Sequence, residues 1–68
     1  MEIVVNHVPE VIENRTTITI SELLRHKNFT YKMLIIKLNG NLVKREEGDS
    51  IIVSDGDNVQ VIHLMTGG

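Results

Sequence analysis

No cysteine occurs anywhere in the chain. That excludes a disulfide framework, a thiolate nucleophile and a Cys-based zinc site, and nothing calls for an oxidising compartment. Tryptophan is also absent, and Phe29 and Tyr31 are the only aromatics, too few to offer stacked bases a platform. Seven basic residues stand against nine acidic ones, for a net charge of −2, so there is no basic footprint and no nucleic acid is expected as a partner. Long hydrophobic runs are missing as well. The longest aliphatic stretch is Met33 to Ile36, far short of a membrane span, and the amino terminus has no basic, apolar signal segment. No membrane is expected as a partner, and the cytoplasm is the expected location. The internal glycines Gly40, Gly48 and Gly56 stand singly in turn-like contexts, so the chain has no glycine-rich loop with which to cradle a phosphate.

What is present reads as one small domain. Sixty-eight residues, 41% apolar and 24% charged, have the composition of an ordinary globular protein at about the length where a single core just suffices. Glu2 to Asn6 is a short β-branched run, with Pro9 expected to stop it. Val11 to Ile18 mixes β-branched and polar residues, as a strand with one wet face does, and is expected to pair with the first run as a hairpin. Thr19-Ile20-Ser21-Glu22 matches a capping box, and Ile18 and Leu23 fit the flanking hydrophobic staple. Ile20, Leu23 and Leu24 then fall at i, i+3, i+4, which predicts a helix over Ile20 to Lys27 with one apolar stripe laid on a sheet and a polar face of Glu22, Arg25 and His26.

Lys32 to Leu38 is the strongest strand signal, and Asn39-Gly40 after it is a turn dipeptide. A short return strand follows over Asn41 to Lys44, then a polar bend over Arg45 to Asp49, the aliphatic stretch Ile51 to Val53, and a turn at Asp55-Gly56-Asp57. From Asn58 to Met65 the residues alternate again. Lys37 marks the face of Met33, Ile35 and Lys37 as outward, while Asn58 and Gln60 do the same for the face that also carries Ile62 and Leu64. Ile35, Ile62 and Leu64 are therefore expected to face water together, with Met65 beyond them, and this patch reads as a docking surface.

Three groups of polar residues invite a catalytic reading and do not sustain it. His7, His26 and His63 lie in separate elements without metal-ligand spacing. Glu46-Glu47 is a charged bend, and Asp55 with Asp57 belongs to a generic turn, so neither is an acid and base pair in a cleft. The end of the chain is different. Gly67 and Gly68 cannot contribute to a core, but they form a thin, flexible strand able to carry a carboxylate down a channel too narrow for any Cβ. On its own this Gly-Gly end fits a frayed terminus equally well.

The residues before it decide the matter. Leu38-Asn39-Gly40-Asn41-Leu42-Val43-Lys44-Arg45-Glu46, then Asp55-Gly56-Asp57-Asn58-Val59, then the final Gly67-Gly68, resemble the bacterial sulfur carriers of thiamine biosynthesis, the ThiS family, over nearly the whole chain. Each motif is generic alone, whereas their order and spacing are specific. The family departs from this sequence at Asn6-His7, where a glycine often closes the first strand, and at Thr66, where a further glycine is common. The resemblance implies an α+β, ubiquitin-like β-grasp fold: a mixed sheet of four to five strands, one main helix on one face, a single domain over residues 1–68 and a flexible tail at 66–68.

The resemblance also implies a chemistry. An E1-like adenylating enzyme of the ThiF type would use ATP and magnesium to turn the Gly68 carboxylate into an acyl-adenylate, this chain binding no cofactor of its own. Sulfur, from a cysteine desulfurase persulfide or from sulfide, would displace AMP to leave a Gly68 thiocarboxylate, and a ThiG-type thiazole synthase would take that sulfur. Gly67 and Thr66 would thread the tail into the partner while Ile35, Ile62, Leu64 and Met65 dock the domain. The chain would thus be a substrate and carrier, not an enzyme. The small subunit of molybdopterin synthase, the MoaD family, shares the fold, the Asp-Gly-Asp turn and the tail, but is usually longer and often has prolines where His63 to Thr66 stand here. A ubiquitin-like modifier joined through Gly68 to a lysine and a passive interaction module are the other readings of the same end.

Overall fold

The computed structural model describes residues 1–29 and 33–64. Among these described residues, seven strands, one α-helix and one 3₁₀ turn follow each other in the order β1 (Glu2–Val5), β2 (Val8–Val11), β3 (Thr17–Thr19), α1 (Ile20–His26), β4 (Leu34–Leu38), β5 (Asn41–Val43), the 3₁₀ turn Arg45–Glu47, β6 (Ile52–Ser54) and β7 (Asn58–His63). Five of the strands make one sheet in the order β2-β1-β7-β4-β5, and β3 pairs with β6 in a separate two-stranded ladder. The sheet is mixed, because β1 runs parallel to β7 while the other neighbours are antiparallel. With a single α-helix against one face of this sheet, the architecture is the α+β, β-grasp arrangement expected from the sequence.

Alternation along the two central strands builds the core. Ile36 in β4 and Val59 and Val61 in β7 point inward with Ile3 and Val5 of β1, and meet Ile20, Leu23 and Leu24 from the helix. Leu34 and Leu38 pack beside them, half-buried. Ile18 and Val53, from the small ladder, close one end of this core.

The helix begins where its cap says it should. The Thr19 hydroxyl accepts from the Glu22 N–H at 3.1 Å, and the Glu22 carboxylate accepts from the Thr19 N–H at 3.0 Å, a complete capping box. The other two free donors of that turn are also occupied: Ile20 N–H reaches the Ile51 carbonyl and Ser21 N–H the Gly48 carbonyl. No donor of this first turn is left for an anion. At the other end, Asn28 at φ +59 sends the chain away, with Asn28 N–H on the Arg25 carbonyl and Phe29 N–H on the Leu24 carbonyl, the two bonds of a Schellman motif.

Two expectations near the amino terminus are corrected. Pro9 does not stop a strand; it lies within β2, opposite Val4. The turn is Asn6-His7, both at positive φ (52° and 69°), which makes a two-residue hairpin loop of the kind that matches strand twist. The pair flanking such a loop, Val5 and Val8, is hydrogen-bonded, so the next pair puts the Pro9 nitrogen on the open side of an edge strand, where no ladder bond is lost. The run Val11 to Ile18 is not one strand. Val11 ends β2, Asn14 at φ +62 breaks the chain, and β3 pairs with β6 instead of with β1.

The Asn-Gly and Asp-Gly-Asp motifs prove to be joints between these elements. Asn39 and Gly40, at φ +50° and +84°, form the second two-residue hairpin turn, and Asn39 Nδ2 donates to Asp57 Oδ1 at 3.1 Å while Asn39 Oδ1 accepts from Asn58 N–H at 2.9 Å. Asp57 Oδ2 accepts from Ser54 N–H, and Asp55 Oδ1 from Glu2 N–H at 2.7 Å. One acidic turn thereby ties together the starts of β1 and β7, the end of β4 and the end of β6. Asn6 does the same at the opposite end, its Oδ1 accepting from Val61 N–H at 2.8 Å.

Candidate functional site

Three of the four acidic residues considered for acid and base chemistry, Glu47, Asp55 and Asp57, are spent on structure. Asp55 and Asp57 hold the turn just described, and the Glu47 carboxylate accepts from the Lys44 N–H. Glu22 also binds the Arg15 guanidinium through both carboxylate oxygens, at 3.0 and 3.2 Å. The Thr19 backbone N–H and then Arg15 hold its carboxyl below the ordinary value, because each stabilises the charged form. Glu10 pairs with Lys27, joining β2 to the end of the helix. Among the described residues no cluster of three or more His, Asp or Glu side chains is arranged to hold a metal, and no helix is long and apolar enough to cross a membrane. A shallow pocket of about 330 Å³, lined by Ser21, Leu24, Arg25, Phe29 and Arg45, opens on the helix side, away from the bare face of the sheet.

That bare face carries the feature of interest. In the antiparallel ladder of β4 and β7, Ile35 stands directly opposite Ile62, and the ladder continues one step further through Leu64 N–H to the Met33 carbonyl at 3.0 Å. Side chains two apart share a face, so Met33, Ile35, Ile62 and Leu64 form a two-by-two apolar block. Met33 is 51% exposed, Ile62 43% and Leu64 42%, while Ile35 is half-buried in the middle of the sheet. Of the expected docking residues, the fold brings Ile35, Ile62 and Leu64 together as foreseen. Met65, Thr66, Gly67 and Gly68 lie outside the described residues, as does the expected flexibility of 66–68; in sequence they follow Leu64 directly, so the block sits at the base of the tail.

Two members of this surface escaped the sequence reading. Met33 alternates with Ile35 on the outward face, and its place in the block follows only from the bond between Leu64 N–H and its own carbonyl. Leu42, the middle residue of a three-residue strand, pairs with Lys37 and is 67% exposed on the same face. Its signal was only the alternation of Asn41, Leu42 and Val43, too short to orient a strand by itself. Ile52 and Val11 are also exposed, but they lie on β6 and on the edge strand β2, apart from the block.

Comparison with known proteins places this geometry. The ThiS family model matches residues 2–68. A crystal structure of the thiamine biosynthesis protein ThiS from Geobacter metallireducens superposes with a TM-score of 0.89 at 30% identity, covering all of both chains. A solution structure of a thiamine biosynthesis protein from the same organism gives a TM-score of 0.80 at 30% identity, over all of this chain and 88% of that one. No curated protein matches the chain. A family match over all but the first residue, together with solved structures similar along the whole chain, establishes that this chain belongs to the ThiS family.

Proposed function

We propose that the chain is a sulfur carrier for thiamine biosynthesis that is itself the substrate of its partners. The observation that carries this reading is the family match through residue 68, which takes in Gly67 and Gly68. The apolar block at the base of the tail supports it. A carboxylate is a poor electrophile, so Gly68 must first be activated. A ThiF-type, E1-like enzyme with ATP and magnesium joins the Gly68 carboxylate to AMP and releases pyrophosphate. The ATP site belongs to that partner, since this chain offers no phosphate loop and the donors of its first helical turn are occupied.

Sulfur then replaces oxygen. Sulfide attacks the acyl carbon, and AMP leaves with the bonding pair, giving the Gly68 thiocarboxylate. When sulfur comes as a cysteine desulfurase persulfide, attack by the terminal sulfur first gives an acyl disulfide. A second thiol then reduces it to the thiocarboxylate and is itself oxidised to a disulfide. This chain contains no cysteine, so every thiol in that sequence belongs to a partner. A ThiG-type thiazole synthase takes the sulfur. Throughout, Ile35, Ile62, Leu64 and Met65 hold the domain against the partner, while Thr66 and Gly67 let the tail reach its active site without steric bulk.

Deletion of the gene in its own host tests the pathway. Growth then requires thiamine or its thiazole moiety, and the full chain, but not one lacking Gly67 and Gly68, restores it. A strain that instead loses molybdenum-enzyme activity, or whose lysate loses Gly68-dependent protein conjugates, would contradict the thiamine assignment.

A further inference from the structure

Among the described residues, lysines border the apolar block on the side of β4 and β5. On the solvent face of the sheet, Lys37 follows Ile35 along β4 and stands opposite both Gln60 and Leu42. Lys44 continues the extended chain beyond Val43, and alternation turns it outward because Val43 is buried. Among the described residues neither ammonium group has an ion-pair partner, whereas Arg15 and Lys27 are paired. Of the described carboxylates, Glu2, Asp55 and Asp57 mark the opposite end of the sheet. Glu47 spends its carboxylate on the Lys44 backbone N–H and not on the ammonium group, and its turn leads on to the helix, where Gly48 receives the Ser21 N–H. In a chain of net charge −2, this face joins exposed aliphatic side chains to two lysines that have no ion-pair partner among the described residues.

From this the geometry points to Lys37 and Lys44 as the cationic rim of the docking site, selecting an adenylating enzyme whose own apolar contact is bordered by carboxylates. The inference rests on the carrier reading above and adds the chemistry by which the partner is chosen. Size argues for such a transient occupant over a second copy of the chain. Met33, Leu42, Ile62 and Leu64 together expose on the order of 400 Å², about half of the ~800 Å² per partner in a stable interface. A patch that small, helped by long-range attraction, forms and releases quickly. Charges at the rim act mainly on the association rate and on its sensitivity to salt.

The test uses the full chain as substrate in ATP–pyrophosphate exchange by its ThiF-type enzyme. Lys37→Glu combined with Lys44→Glu is expected to raise KM about five- to tenfold at low salt with kcat unchanged, and to flatten the rise of KM with added salt. Lys37→Glu alone is compared with Arg25→Glu, which makes the same change of charge on the helix face and is expected to leave KM alone. Lys37→Gln and Lys44→Gln, with thermal melts for every variant, separate charge from folding. If wild type is a substrate but the lysine variants match Arg25→Glu, the rim is refuted and the carrier reading stands. A wild-type chain that no adenylating enzyme accepts would overturn both. A chain dimeric at micromolar concentration, with dimerisation lost in Ile62→Asp, would give the face to a second copy and overturn the rim.

Discussion

Ile62→Ala separates docking from folding. Ile62 is 43% exposed, and its buried part rests on the sheet beside Ile35, its cross-strand partner. The exposed part is about 75 Å², so covering it with a partner is worth at most ~2 kcal/mol at about 25 cal/mol per Å². Truncation to alanine removes roughly two-thirds of that surface and leaves about 1 to 1.5 kcal/mol missing from the complex, a five- to tenfold rise in KM for adenylation. The value of kcat stays fixed, because Gly68 and the acyl carbon are untouched. Folding suffers as well, by about 1 kcal/mol, which lowers the melting temperature by some 4–8 °C in a domain of this size and leaves the chain folded at assay temperature. Ile52→Ala is the control. Ile52 is 49% exposed, but it projects from the small β3–β6 ladder, so its loss is expected to affect stability and not KM. Equal KM values for the two variants in pyrophosphate exchange would refute the assignment of the sheet face as the docking site.

Two further variants probe the scaffold. Asn39→Ala loses the bonds to Asp57 and to Asn58 N–H and forces alanine to φ +50°, at a cost of about 2 to 3 kcal/mol. Asn39→Gly keeps the turn and loses only the bonds, so urea midpoints should rank wild type, glycine, alanine, and an alanine variant as stable as wild type would contradict the joint described above. The lowered carboxyl of Glu22 means that the unfolded chain takes up its proton before the folded one does. Its contribution is therefore complete above the ordinary carboxylate value of 4.5 and is lost as pH falls through the lower folded value. Glu22→Gln should shorten that acid-side loss when urea midpoints are followed from about pH 6 to about pH 3; an unchanged slope would mean that the Thr19 and Arg15 bonds do not favour the charged form.

Local chemistry made the centre of the fold legible. The Thr19 and Glu22 cap, the i, i+3, i+4 stripe of Ile20, Leu23 and Leu24, the Asn39-Gly40 turn and the alternation in β4 and β7 each depend on neighbours within a few residues, and the structure contains all of them. The amino-terminal third was misread because its decisive terms are not local. Pro9 is acceptable in β2 only because that strand is an edge, and edge status follows from the sheet order, which a linear pattern does not contain. The Asn6-His7 turn has no glycine to announce it; Asn6 is held at positive φ by a strand that arrives 55 residues later, through the bond to Val61. Thr17 to Thr19 has the composition of a strand, but its partner β6 lies beyond the helix and the whole β4–β5 hairpin. Likewise the patch was legible at Ile35, Ile62 and Leu64, where long strands fix the faces, and was missed at Leu42, where three residues do not.

The central claim is that Gly68 carries sulfur. Its most direct test is the intact mass of the full chain after incubation with its adenylating enzyme, ATP, magnesium and a sulfur source, followed by fragmentation. A mass gain equal to one exchange of oxygen for sulfur is expected, confined to the fragment ending in Gly68 and absent when Gly68 is deleted. An adenylate that forms at Gly68 but never accepts sulfur, and instead passes to a protein lysine, would contradict it.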